Sequence, residues 1–176
     1  KSIFEYIILV CPTYSKNKTY RGFANNDPRF IVIQPDSSDI DDLNQILLDI
    51  ETVFGGYTTL VILDDIASSS EVKKRSNQFI NLAFSARHSN ISVWVLTQHL
   101  TSIAKPFRDN IGCIVSFFTP NKISNQTLFD EYGGELDTEH RKYFMKILKS
   151  EKYARICFCL HHPFHTYVEI PNDLKN

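Results

Sequence analysis

The stretch LVILDDIASSS, residues 60–70, carries an apolar run into two aspartates and then into a turn of small residues. A short apolar run bounded by turn signals predicts a buried strand, here Thr58 to Leu63. Adjacent carboxylates at such a strand end repel one another, so a cation or a reacting water is expected to justify them. An acid in that position helps hold magnesium beside a nucleotide, usually through water, and a second acid next to it polarises the attacking water. Asp64 suits the first role and Asp65 the second. The competing reading is an ordinary strand end, where an aspartate caps a turn. The run alone does not choose between them.

On its N-terminal side, Phe4 to Val10 reads as a first strand ending at Cys11-Pro12-Thr13. Tyr14 to Pro28 is rich in Asn, Lys and Tyr and reads as a loop holding at most one helical turn. Phe30 to Gln34 is a short strand closed by Pro35, and Asp36-Ser37-Ser38-Asp39 offer caps to a helix over Asp41–Val53. Leu43, Ile46, Leu47, Ile50 and Val53 repeat at the helical period, and Gly55-Gly56 stop that helix. On the C-terminal side, Ser70 is placed to cap a helix from Glu71 to Arg87 whose inner face carries Val72, Phe79, Leu82, Ala83 and Ala86. ISVWVLTQ, residues 91–98, is nearly continuous in apolar content, as a strand buried on both faces should be. A short helix near Thr101–Asn110, a strand over Cys113–Phe118, and helices near Lys122–Tyr132 and Thr138–Lys149 follow. A hairpin of Ala154–Leu160 with Thr166–Ile170 completes the chain. Strands separated by helical stretches imply parallel crossovers, hence an α/β sheet with helices on both faces and the final hairpin antiparallel at one edge.

A chain of 176 residues with 43% hydrophobic content suits one domain with a real core. Its net charge of -1 sets up no global basic field, so any DNA contact must come from a local patch or a ring of subunits. The longest apolar runs, Ile7 to Cys11, Leu60 to Leu63 and Ile91 to Leu96, are far too short for a membrane span. The opening KSIFEY has an acid within its apolar stretch and no cleavage-like site, so it does not read as a signal peptide. It also opens on Lys rather than Met, which points to a fragment or a processed piece. Lys73, Lys74 and Arg75 form one short basic run, for which a solvated helix face is the plainer explanation, as it is for Lys146, Lys149 and Lys152. Cys11, Cys113, Cys157 and Cys159 lie in or at the end of apolar runs, which reads as reduced, buried, intracellular thiols. CFCLHHPFH, residues 157–165, crowds Cys157, Cys159, His161, His162 and His165 together. Its spacing matches no common zinc module, and its apolar alternation marks a strand-turn-strand hairpin.

The strand after the acidic pair strengthens the nucleotide reading. VWVLTQH ends abruptly in Thr97-Gln98, one crossover after Asp64, so the two strand ends should share the rim where open α/β sheets bind ligands. Gln98 is then placed to hydrogen-bond an attacking water or a terminal phosphate; the alternative is that Thr97 and Gln98 only cap the next helix. Arg87, closing the long helix, and Arg108, in PFRDN, are read either as satisfying helix-end carbonyls or as fingers reaching a neighbour's phosphates.

The ordered set LVILDD, FINLAFSARHSNISVWVLTQ and PFRDNIGCIVSFF resembles the FtsK/HerA superfamily of P-loop ATPases, in its viral genome-packaging branch typified by the poxvirus packaging ATPase and found also in Maverick-type transposons. FEYIILVCPTY resembles the strand that follows the first P-loop helix there. The resemblance covers Phe4 to Phe118. It implies a P-loop NTPase-like (RecA-like) fold as a single domain, with a core over 1–120 and C-terminal helices and hairpin over 121–176. It implies ATP and magnesium as cofactors, a homo-oligomeric ring, double-stranded DNA and capsid or virion components as partners, and an intracellular or virion-associated place without a membrane. By position, Asp64 and Asp65 match the Walker B acids, Gln98 the polar sensor, and Arg87 and Arg108 recurrent arginines.

One part of that pattern is absent. No G-x-x-x-x-G-K-[ST] occurs in the chain, and Lys1-Ser2 is followed at once by a β-rich run rather than the helix that would hold phosphates. The loop, its strand and its helix are therefore expected upstream of Lys1, beside the strands ending in Asp64 and Gln98. Acids and an amide alone would repel the anion, so the chain by itself is expected to turn over ATP poorly or not at all. The alternatives are an inactive relic or interaction module with the same fold, and an unrelated receiver-like α/β domain using the acids for magnesium.

Overall fold

The computed structural model describes residues 2–24, 26–35, 43–66 and 78–171. The cap candidates Asp36 to Asp39 and Ser70, the helix positions Asp41 and Val72, and the basic run Lys73 to Arg75 lie outside the described residues.

The chain divides into two compact units, Lys1–Asn110 and Ile111–Asn176. In the first, strands β1 (Tyr6–Val10), β2 (Phe30–Ile33), β3 (Thr59–Asp64) and β4 (Ile91–Leu96) alternate with helices α1 (Lys18–Ala24), α2 (Leu43–Phe54) and α3 (Gln78–Ser85). All three strand pairings are parallel, in the order β2-β1-β3-β4. Ile8, Leu9 and Val10 of β1 and Val61 and Leu63 of β3 have no exposed surface. Consecutive strand residues face opposite sides, so β1 is covered on both faces, whereas β3 buries Thr59, Val61 and Leu63 on one face and Leu60 on the other, where Ile62 is half-buried.

The expected helix over 41–53 is observed as α2, with Leu43, Leu47 and Ile50 buried, while Val53 is exposed. Val53 lies in the last turn, just before the chain reverses at Gly55-Gly56, where Gly56 adopts φ 95°. Glu51 on α2 accepts hydrogen bonds from Gln78 Nε2 at 2.9 Å and Ser85 Oγ at 3.1 Å, fixing α3 against it. Phe79 of α3 stacks on Phe107 at 4.2 Å, joining α3 to the four-residue helix α4 (Lys105–Arg108). Residues 14–28, expected as a loop with one helical turn, carry more helix than that: a 3-10 turn at Tyr14–Lys16 and the two-turn helix α1.

The expectation for β4 needs correction. Ile91 is buried, but Ser92, Trp94 and Leu96 are exposed, so this apolar strand is covered on one face only. Among the described residues β4 pairs on one side, with β3.

The second unit is a three-stranded antiparallel sheet, β5 (Cys113–Phe117), β6 (Arg155–Cys159) and β7 (His165–Glu169), with helices α5 (Lys122–Tyr132) and α6 (Thr138–Ser150) between its first two strands. Both helices begin on side-chain caps: Asn121 accepts from Ser124 N–H at 3.1 Å and Asp137 from His140 N–H at 2.8 Å. Ile156 and Phe158 are fully buried, and Phe129 of α5 meets Phe158 edge-on at 5.9 Å. The opposite face exposes Val115, Phe117 and Tyr167. The C-terminal hairpin thus takes β5 as its third strand rather than extending the parallel sheet. β5 alternates in exposure along its length, the pattern of a strand with one covered face. Cys113 at its start is exposed, against the expectation of a buried thiol, whereas Cys11 and Cys157 are buried.

Candidate functional site

The chain leaves β1 for β2 on one side and returns to β3 on the other, so its topological switch point lies between β1 and β3. Open α/β sheets bind ligands at the carboxyl end of such a crevice. Val10 pairs with Leu63 and Asp64 with Leu96, so Cys11, Asp64 and the Thr97-Gln98 pair emerge side by side at one rim. Pro12, Pro35, Leu43 and Ile66 line a small apolar recess at the same ends of β1, β2 and β3.

Polar groups converge on the two acids from the β1 side. Tyr20 of α1 donates its hydroxyl to Asp64 Oδ2 at 2.9 Å, and Thr13 donates to Asp65 Oδ2 at 3.0 Å. Cys11 Sγ stands 3.9 Å from Asp64 Oδ2 and 3.5 Å from Thr13 Oγ1. Burial pushes the Tyr20 phenol above its ordinary range, and the hydrogen bond to Asp64 and the nearby carboxylate charge push it further. Tyr20 therefore stays a neutral donor through physiological pH. Asp65 adopts φ 60°, the left-handed region that aspartate enters more readily than most residues with a side chain.

The other expected site residues divide. Gln98 is exposed two residues beyond the partner of Asp64. Thr97 spends its hydroxyl on the following turn, accepting from His99 N–H at 3.2 Å and lying 3.0 Å from Ser102 Oγ, which is the capping alternative realised for this residue. Arg87 sits in the 3-10 turn that feeds the amino end of β4, at the rim opposite the acids. Arg108 is buried at the end of α4 and engaged within the chain. The arrangement therefore gathers Asp64, Asp65 and Gln98 at one rim and leaves Arg87 away from it.

Thr13 and Tyr20 escaped the sequence reading. For Thr13 the signal lay in CPT, where the apolar strand β1 turns polar two crossovers before the acids, as VLTQ does one crossover after them; Tyr20 left no such signal. Among the described residues no cluster of three or more His, Cys, Asp or Glu is disposed to hold a metal. The hard carboxylate oxygens at Asp64 and Asp65 suit magnesium, which accepts one or two carboxylates and fills its remaining positions with water and phosphate.

Solved structures share this fold. The genome packaging NTPase B204 from Sulfolobus turreted icosahedral virus 2, in complex with ATP-gammaS, aligns over 96% of this chain and 82% of that one at 17% identity and TM-score 0.59. B204, the DNA-packaging ATPase from Sulfolobus turreted icosahedral virus, aligns over 96% and 83% at 15% identity and TM-score 0.66. At these identities the likeness establishes the P-loop NTPase-like fold. No curated protein matches the chain. No helix among the described residues is long and apolar enough to cross a membrane. Residues 2–129 match the family described as Poxvirus A32 protein, and the chain belongs to that family.

Proposed function

We propose that this chain is the C-terminal portion of an ATP-hydrolysing subunit of a DNA-packaging motor, of viral or virus-like transposon origin. The observation that carries the reading is the adjacent Asp64 and Asp65 at the carboxyl end of a central, largely buried parallel strand, in a chain of the poxvirus A32 family. B204 has been solved with ATP-gammaS and with AMPPCP, which supports a nucleotide as the ligand of this fold. In this reading Asp64 holds magnesium through water, Asp65 polarises the attacking water, and Gln98 contacts that water or the terminal phosphate. Magnesium, when bound, neutralises charge on the phosphates. Arg87, at the far rim, serves only as a finger toward a neighbouring subunit, while Arg108 would have to leave its buried position to do so. A homo-oligomeric ring, double-stranded DNA and virion components are the partners that follow, in the cell or the virion.

Two carboxylates cannot grip a polyphosphate unaided, so the reading calls for a phosphate loop from outside residues 1–176. The unpaired side of β4, with Trp94 and Leu96 exposed beside it, is where the strand leading into such a loop would add. β3 offers no such edge, being paired on both sides.

The test is ATP turnover by the intact protein carrying this chain. Asp65→Asn should lower kcat by about 10²- to 10⁴-fold while nucleotide binding persists. Unchanged turnover removes Asp65 from the chemistry. A second reading, an inactive relic with the same fold, is favoured by the lack of G-x-x-x-x-G-K-[ST] among the 176 residues. The coding sequence before Lys1 separates the two: an in-frame phosphate-loop motif supports the motor, and its absence supports the relic.

A further inference from the structure

We propose that Tyr20 and Thr13 are positioning residues for the acidic pair, Tyr20 fixing the Asp64 carboxylate and Thr13 the Asp65 carboxylate. The inference rests on reading those acids as a magnesium-holding and water-polarising pair.

Each acid receives one hydroxyl, and in both cases on the same oxygen, Oδ2. Among the described residues neither Oδ1 carries a hydrogen bond, so each carboxylate is anchored by one oxygen and keeps the other for a metal-bound or reacting water. The donors are neutral. A lysine or arginine in their place would hold the carboxylates too, but would cancel the charge that draws the cation. Hydroxyls orient without neutralising, the usual task of groups behind a metal-ligating carboxylate.

Asp65 lies just past the last residue of β3 with φ 60°, so its carboxylate is placed by a turn and not by the sheet. The bond from Thr13 ties this residue to the end of β1. Cys11 Sγ fills the space between the two donors, within reach of Thr13 Oγ1 and Asp64 Oδ2.

The donors are themselves held. Tyr14 N–H donates to Cys11 O at 3.2 Å and Lys16 N–H to Thr13 O at 2.9 Å, shaping the turn that presents Thr13. Gln34, just beyond β2, donates through Nε2 to Pro12 O and to Ser15 Oγ, each at 3.2 Å. Arg21, the neighbour of Tyr20 on α1, bonds Ser15 O. The Cys11–Lys16 turn is thus tied both to the β2 end and to α1, and it sets the two hydroxyls in one frame with the sheet rim.

The test uses the intact protein with three variants that change little else: Tyr20→Phe and Thr13→Val, each removing a hydroxyl, and Thr13→Ser, which keeps one. Manganese affinity is read by electron paramagnetic resonance with a non-hydrolysable ATP analogue, alongside kcat and KM for ATP and the thermal melt. Tyr20→Phe should weaken manganese binding, and Thr13→Val should lower kcat, each by about tenfold, with KM for ATP within about twofold and Thr13→Ser near wild type. A merely structural role would lower the melting temperature and leave manganese affinity and kcat of the folded protein unmoved. If Asp64→Asn weakens manganese binding and Asp65→Asn abolishes turnover while Tyr20→Phe and Thr13→Val match wild type in both, the positioning role is overturned. If Asp64→Asn itself leaves manganese binding unchanged, the reading of the acids as a metal site is what has failed, and the inference falls with it.

Discussion

The end of β3 and the bend between β6 and β7 both crowd metal-capable residues into a few positions, yet they are built in opposite ways. At β3, side chains from two separate segments meet the two acids: Cys11 and Thr13 after β1, and Tyr20 on α1. At the bend, five Cys and His residues fall within nine positions, with Cys159 opposite His165, yet among the described residues they form no group disposed to hold a metal. His161 lies against Gly112, His162 meets Phe164 at 6.0 Å, and His165 stacks on Tyr167 at 5.8 Å with Nδ1 3.0 Å from Pro163 O. Parallel strands bring their carboxyl ends, and the residues that follow them, to a common rim. Density of ligands along a sequence is therefore a poorer guide to a site than convergence of strand ends.

The strongest way to break this contrast is to exchange its consequences. Asp64→Asn and Asp65→Asn should each cost the intact protein about 10²-fold or more in ATP turnover, whereas Cys159→Ser and His162→Ala should leave turnover within about twofold. Loss of turnover in the hairpin variants at unchanged stability would move the chemistry to the second unit.

The next largest effects are on stability, one in each unit. Leu63 ends the apolar run of β3 with no exposed surface, and Phe158 fills the space between β6 and α5. Leu63→Ala should cost about 2–5 kcal/mol and Phe158→Ala about 3–5 kcal/mol, from lost transfer energy and the cavity left behind. Urea melts of both variants check this. A cost under about 1 kcal/mol at either site would mean that its surroundings collapse to fill the space. A smaller effect belongs to the start of α5, where Asn121→Ala removes the cap on Ser124 N–H and should cost about 1 kcal/mol.

These positions also show what a sequence discloses. Leu60 to Leu63 was legible as a buried strand because the apolar run has no gaps and is bounded by turn residues. Asp64 and Gln98 were legible as neighbours because a single crossover joins their strands. β4 misled: Val93, Trp94 and Val95 are all apolar, yet only one face of the strand is covered, and hydrophobicity does not record which neighbour is present. The partner of β5 is not legible locally, because β6 lies about forty residues on, beyond two helices. Thr13 and Tyr20 act on acids 52 and 44 residues away, and that contact exists only because β1 and β3 are adjacent. Local pattern reveals strands and turns; the pairing of β1 with β3 is a property of the folded sheet.

The smallest expected effect concerns acid stability and isolates one charge. Asp137 caps α6, and the backbone N–H of His140 donating to its carboxylate, aided by the His140 side chain, holds it below its ordinary value of 3.8. A carboxylate depressed in the folded state stabilises that state above its unfolded value, and the contribution disappears as pH falls through the folded value. Asparagine caps a helix about as well as aspartate, so Asp137→Asn keeps the cap and deletes the titration. The variant should melt slightly below wild type near neutral pH, where the carboxylate adds its attraction for the helix N-terminus. The two should converge as pH falls through the lowered folded-state value of Asp137. Because the group is exposed, the gap should also shrink in high salt. Melting curves that stay parallel from neutral to acid pH would show that Asp137 stabilises α6 through its hydrogen bond alone, with no part played by its charge.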